Sequence, residues 1–566
     1  MKRTSYTSKN RKIFKMKIPG FRIILILLLQ ICWGCNFLDY TEADDYRKEQ
    51  VFAEVTWNKQ ALTKIYYYLP TDFASIGGAM RSSASDEAED VNDFSDIQKM
   101  NDGTWSAIQP IDNQWANYYA GIRSANLYLA EGINKTFDDL KWNADYKDIM
   151  SQYILYPYEA RFLRAYFYFE LIRRYGDVPL ITTVLTEDEA NKVKRTPFND
   201  IVQFIVSECD AVSAKLPNSF TSVINAETGR ATRGAAMALK ARTLLYAASP
   251  LFNPSNDKNK WIVAATASKD VIDLAVYTLD ASYANVVNSL TTKELIFERR
   301  QAAANTFEAA NFPIGYEGGN TGTCPTQNLV DSYEMKLGGL GINESGSGYD
   351  PKNPYNGRDP RLALTVIYNG SLWKSILVEI WNGGLNAPPK RYATKTGYYL
   401  KKYLIEAISL SATAPSTRIH TWVLFRYGEV LLNYAEAMNE AYGPVTPGTG
   451  NLTLTALAAA NLVRARATMP AFPATLTQDQ FKNKLRNERR VELAFEDHRF
   501  WDIKRWKIGN TTTTINGMDI SKNGTGVLTF TPKVVEARIW DDKMNLYPIP
   551  QSELNINSGL VQNPGW

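Results

Sequence analysis

Apolar residues recur at three- and four-residue spacing along segments of about 15 to 20 residues, the period of a helix that buries one face. The segments are 113–132, 156–175, 198–216, 233–248, 262–276, 422–441, 454–467 and 478–507. Pro179, Pro217, Pro250, Pro444 and Pro470 follow them, where a residue without an amide proton cannot continue the ladder. Gly176 and Gly443 stand at C-cap positions. In 159–167 and 235–242 small alanines sit beside large side chains at helical spacing, which lets neighbouring helices approach closely. No strict 34-residue repeat runs through them. The pattern predicts a mainly α chain, an irregular tetratricopeptide-like helical-repeat scaffold.

Between 311 and 416 the texture changes to Gly, Pro, Asn, Thr and Tyr, with Gly338-Gly339, Gly383-Gly384 and Pro388-Pro389 marking turns. Residues 362–368 are a candidate strand. A loop-rich stretch this long inside a helical chain is functional or disordered, and its Tyr and Trp content argues against disorder. It is expected to be a large ligand-binding insertion.

The start of the chain reads as an address. Eight basic and no acidic residues precede a short apolar run from Ile23 to Leu29, the layout of a secretory leader. The run is too short to span a membrane. Met16 is an alternative start. Gly34 before Cys35 suits lipoprotein processing, so Cys35 is expected to carry the lipid; a plain secretion signal with Cys35 in a disulfide is the alternative. The organisation is then a lipoprotein signal peptide at 1–34, a lipidated tether at 35–50, helical parts at 51–310 and 417–566, and the insertion at 311–416.

The 566 residues would accommodate up to four ordinary domains or one large helical assembly. The 45% hydrophobic and 22% charged residues argue against both disorder throughout and a polytopic membrane fold. Net charge is +4, but removing the leader turns 63 basic against 59 acidic residues into 55 against 59, a mature charge of −4. The basicity belongs to the leader, and a nucleic-acid partner loses its support. Two histidines and four cysteines, none in zinc spacing, argue against a transition-metal enzyme, and no cofactor is expected. Cys209 and Cys324 either bridge or are small buried residues.

Several stretches, in order, resemble the SusD/RagB family of nutrient-uptake lipoproteins in Bacteroidetes. They include Glu159-Ala160-Arg161-Phe162-Leu163-Arg164, Arg174-Tyr175-Gly176-Asp177, Arg358-Asp359-Pro360-Arg361, Arg426-Tyr427-Gly428-Glu429, Asn487-Glu488-Arg489-Arg490 and Tyr547-Pro548-Ile549-Pro550. At Lys336-Leu337-Gly338 the chain departs from the family, which has Asp-Gly there more often. The resemblance implies a helical scaffold that docks, through a lipid anchor at the outer membrane, on a SusC-like TonB-dependent transporter. It implies capture of glycans (oligo- or polysaccharide) without chemistry, acting as the transporter's lid; the family also has members thought to take peptides.

Sugar rings stack on Trp and Tyr while Asn, Asp and Arg bond their hydroxyls. Arg81, Asn101 and Trp105 in the N-terminal polar loop, with Tyr316, Trp373 and Trp381 in the insertion, are the candidate ligand residues. Asp86, Glu87, Glu89 and Asp90 carry oxygens for calcium but lack EF-hand spacing, which favours a solvated loop. The stripe Glu488, Arg489, Glu492, Glu496, Arg499, Asp502, Arg505 and the carboxylates Glu429, Glu436 and Glu440 have helical ion-pair spacing, and are expected to be structural rather than the paired acids of a glycoside hydrolase. His498 is expected to be packed rather than a metal ligand.

Overall fold

The computed structural model describes residues 47–221 and 227–566. Cys35, Met16 and the whole leader lie outside them. The helices are α1 (Val55–Tyr66), α2 (Trp115–Glu131), α3 (Tyr156–Tyr175), α4 (Phe198–Ser213), α5 (Arg233–Ala248), α6 (Lys258–Asp273), α7 (Tyr427–Tyr442), α8 (Ala456–Arg466), α9 (Gln478–Glu492) and α10 (Arg499–Arg505). From α1 to α7 each packs on the next, and α7 also packs on α8 and α9. This is the expected repeat-type array. The chain leaves it after α6 and rejoins it at α7, so residues 274–426 are an excursion from a continuous helical stack.

Local chemistry sets the helix ends. Gly176 at φ 70° and Gly443 at φ 88° cap α3 and α7, their N–H groups donating to the Ile172 and Asn439 carbonyls. Thr232, Thr455 and Thr477 cap the starts of α5, α8 and α9 through their side chains. The alanines at 235, 236, 238 and 241 are buried on α5, which lies between α4 and α6. Helix α3 is buried on nearly every side and is the spine of the N-terminal part.

The structure corrects three predicted elements. The segment 422–441 begins as a strand, Thr421–Arg426, before turning into α7. Every residue of that strand is buried, so its continuous apolar run carries no period to tell strand from helix. The segment 478–507 is two helices, broken where Phe495 and Asp497 adopt φ 62° and 61°. Residues 362–368 open with a helical turn, Leu362–Thr365, and the expected strand is confined to Val366–Ile367, which pairs antiparallel with Tyr399–Leu400. A helix, Lys48–Ala53, also begins inside the stretch assigned to the tether.

Short strands stitch the excursion to the array. They are β1 (Ala88–Asp90), β2 (Leu295–Arg300), β3 (Thr323–Pro325), β4 (Leu372–Trp373), β5 (Ile376–Leu377), β6 (Thr421–Arg426), β7 (Thr514–Lys522) and β8 (Leu528–Ala537). β2 pairs antiparallel with β6 and closes the base of the excursion; β1 pairs with β3 and brings the N-terminal acidic loop onto it. The hairpin β7–β8 extends from the C-terminal part into the same layer, where Met518 N–H donates to the Thr396 carbonyl. No helix among the described residues is long and apolar enough to cross a membrane.

Candidate ligand-binding surface

Four of the six candidate ligand residues belong to the interior. Arg81, 5% exposed, donates to Asp112 at 3.0 Å and Asp497 at 2.6 Å and lies 5.3 Å from the Trp501 ring. Asn101 is buried and donates to the Ser83 carbonyl at 3.1 Å. Trp105, 3% exposed, packs edge-on against Tyr547 and Trp566. Trp373, 1% exposed, turns inward from the β4–β5 hairpin onto Phe312. A ring whose faces are already covered offers no platform to a sugar, so these four fix loops rather than touch a ligand. Tyr316 and Trp381 are half-buried on the loop surface, where the Tyr316 hydroxyl donates to the Ile376 carbonyl at 3.3 Å.

The acidic run does not converge on a cation. Asp86 is held by Arg499 at 2.8 and 2.9 Å and by Arg490 at 3.2 Å. Glu89 is held by Arg538 at 2.6 Å and Lys395 at 3.2 Å, and Gln98 donates to it at 2.9 Å. Glu87 and Asp90 are buried, and burial raises both carboxyls. The Asp86 and Glu89 oxygens face separate arginines and a lysine, Glu87 and Asp90 have no ion pair, and no metal-holding group of three acidic, His or Cys side chains occurs among the described residues. Neither calcium nor a solvated loop describes this segment: it is an ion-paired seam.

The charged stripe forms a similar seam on a larger scale. Glu492 receives Arg361 at 2.8 Å and Arg426 at 2.8 Å, with Arg466 also bonded. Burial would raise its carboxyl, but these guanidinium groups outweigh it and hold it well below the usual range. Glu436 receives Arg505 at 2.6 Å, Glu429 pairs with Arg242, and Arg489 bonds Asp502 at 2.7 Å. These carboxylates neutralise arginines in the core and face no cleft. In the Arg358–Arg361 turn, Arg361 does bond Asp359 at 2.7 Å, but Arg358 donates to the Tyr333 and Pro354 carbonyls. His498 is buried beside Arg489, and burial lowers its ring well below its ordinary value. Cys209 and Cys324 are free and buried, and burial pushes the Cys324 thiol up to about 12.

What the loop layer presents to solvent is different. Phe94 is 94% exposed at the tip of the turn after β1, where Asn92 Oδ1 accepts its N–H at 3.1 Å. The neighbouring Asp93 meets Lys395 at 2.6 Å, and the Lys395 ammonium also donates to the Asp90 carbonyl at 2.7 Å. That lysine ties the Phe94 turn to the loop carrying Tyr392, which is 38% exposed at φ 62°. The Arg391 guanidinium lies 4.6 Å from the Tyr392 ring. Trp381 joins from the same loop: Asn382 N–H donates to the Ile520 carbonyl of β7, two residues from the Met518–Thr396 bond. The Lys522 ammonium lies 4.5 Å from the Trp381 ring. Phe94, Tyr392 and Trp381 thus stand on loops braced by the hairpin and by β1–β3. Sequence reasoning missed Phe94 and Tyr392. Their signal is an aromatic inside a wholly polar run, as in Asn92-Asp93-Phe94-Ser95-Asp96.

The fold and its sequence pattern have known counterparts. Residues 293–566 match the family described as the SusD family, and residues 36–245 match one described as starch-binding, associating with the outer membrane. A SusD-like protein of Formosa agariphila is 24% identical over 96% of this chain and 99% of its own. Two solved structures from Bacteroides fragilis superpose: a SusD-like protein, 27% identical, TM-score 0.77, over 93% of this chain and 99% of its own, and a SusD-like carbohydrate binding protein, 28% identical, TM-score 0.72, over 90% and 100%. The matched stretches include both ends of the helical array, the buried Arg–carboxylate seam and the loop layer between them, and on that ground the chain belongs to the SusD/RagB family.

Proposed function

We propose that the protein is a non-catalytic cell-surface lipoprotein, anchored through Cys35 on the outer face of the outer membrane. It captures glycan and passes it to a SusC-like TonB-dependent transporter, which it covers as a lid. The observation that carries this reading is the exposed pair Phe94 and Tyr392, with the half-buried Trp381, on braced loops of one layer. Exposed rings on fixed loops give sugar C–H faces a surface at little entropic cost. The B. fragilis relative named for carbohydrate binding and the family's outer-membrane description support it. In this reading residues 311–416, with the Phe94 turn and the β7–β8 hairpin, form the capture layer, and the helical array carries the transporter contact.

The test is calorimetric titration of the mature protein against a polysaccharide panel. Phe94→Ala and Tyr392→Ala are each expected to weaken the best ligand about tenfold, near 1.4 kcal/mol, with the melting temperature unchanged. Unchanged affinity in both would remove this surface from the function. Purification from outer membranes is expected to bring a TonB-dependent barrel with the wild-type protein, and recovery without one argues against the lid.

A further inference from the structure

Nearly every arginine of the core has a carboxylate, as Arg361, Arg426 and Arg505 illustrate. The loop that carries the aromatics, with the end of β7 beside it, breaks this habit. Lys390 donates only to the Leu385 carbonyl, Arg391 to the Tyr392 hydroxyl at 2.7 Å, and Lys522 lies over Trp381. All three are exposed, and among the described residues none has a carboxylate partner. Two acids share these segments, but each has a neutral donor: Asp519 accepts from the Asn382 amide at 3.1 Å and Glu379 from Leu385 N–H at 3.1 Å. The result is a repeated unit, an aromatic ring with an unpaired cation against it, once at Tyr392 and once at Trp381.

From this juxtaposition we infer that the surface takes an anionic glycan, one whose rings stack on Tyr392 and Trp381 while their carboxylate or sulfate groups meet Arg391, Lys522 and Lys390. The inference rests on the glycan-capture reading above and narrows its ligand class. A neutral sugar would use the rings and offer the cations only its hydroxyls. An acidic sugar adds charge-assisted hydrogen bonds, the stronger kind, at the edge of each stacking face. The mature chain carries −4 overall, so an acidic polymer needs local cations of this kind to approach.

The experiment is titration with polygalacturonate (carboxylate only), κ-carrageenan (sulfate only), dextran (neutral) and polyglutamate (an anionic peptide), at low and high salt. At least one acidic polysaccharide is expected to bind about tenfold or more tighter than dextran, with the advantage shrinking as salt screens it. Which of the two acidic polymers binds separates carboxylate from sulfate recognition. Arg391→Ala and Lys522→Ala are each expected to cost about tenfold for the acidic polymer and markedly less for dextran, with unchanged melting as the folding control. Dextran binding as tightly as both acidic polymers, without salt dependence, would overturn the anionic class and leave glycan capture standing. Polyglutamate binding as tightly as the acidic polysaccharides would overturn it in favour of a peptide ligand. No binding to any polysaccharide would remove the capture reading and this inference together.

Discussion

Glu87 and its neighbour Asp86 show how much burial alone leaves undecided. Burial would raise the Asp86 carboxyl, but Arg490 and Arg499 outweigh it and hold it at about 2. At Glu87 burial prevails over the same two arginines: it pushes the carboxyl from 4.5 up to about 8, and one of its oxygens has no hydrogen-bond partner. The two have opposite consequences for stability. Asp86, like Glu436 at about 2, contributes stability above its unfolded value, and this is lost as the pH falls towards 2. Glu87 keeps its proton in the folded protein up to about pH 8 but releases it near 4.5 when unfolded, so its contribution is present below 4.5 and lost as the pH rises through 8. Stability is therefore expected to fall on both sides of mildly acidic pH. Glu87→Gln is expected to flatten only the alkaline limb, gaining on the order of 2–4 kcal/mol over the wild type at pH 9. Urea midpoints of the two proteins across pH 3–9 read this out. Parallel alkaline limbs would mean that Glu87 is charged in the folded state.

Among the elements, the break between α9 and α10 does the most with the fewest residues. Asp497 turns the chain at φ 61° and places its carboxylate on Arg81, while Arg173 and the Trp501 indole also reach it. Two contributions can be separated there. Asn tolerates the left-handed conformation, so Asp497→Asn isolates the lost charge, about 2 kcal/mol for one charged hydrogen bond, since Arg81 keeps Asp112 and Arg173 keeps Glu170. Asp497→Ala adds the backbone cost, about 1 kcal/mol more, and the difference between the two denaturant midpoints measures it. Equal midpoints would show that the turn stores no strain. Periodicity across 478–507 gave no sign of this break, because the charged and apolar spacing carries on through it. Helices ending on Gly or Pro, such as α3 and α5, were legible almost to the residue, since caps are local chemistry. The candidate site was legible as a region and in Trp381, but not in its other residues: Trp105 is buried by Tyr547 and Trp566, hundreds of positions downstream, and no local pattern announces such partners. Phe94 stays exposed because nothing distant covers it.

A helical array in which each member touches only its neighbours behaves as a one-dimensional chain, and its ends can unfold independently. This molecule has the array but adds ties across it. Arg81 reaches Asp497, Asp86 reaches Arg499, and Glu89 reaches Arg538, each joining the N-terminal loop to the last part of the chain. Tyr547 donates its hydroxyl to Asp112 and its N–H to the Arg174 carbonyl, and the Asn563 side chain bonds the Tyr175 carbonyl. The excursion is held at its base by β2–β6 and at its top by β1–β3 and the β7–β8 hairpin, so neither the insertion nor the C-terminal helices are complete alone. Such ties convert a repeat protein into one cooperative unit, because opening any segment exposes buried, unpaired charge elsewhere. Calorimetry is therefore expected to give a single endotherm whose van't Hoff and calorimetric enthalpies agree. The fragment 417–566, cut from its partners, is expected to lack a cooperative melt by circular dichroism, because Glu492, Asp497 and Arg499 would remain while their partners Arg361, Arg81 and Asp86 were gone. Two resolved endotherms, or a fragment that melts sharply by itself, would mean that the long-range ion pairs decorate separable domains, and the 311–416 boundary would then be a true domain edge.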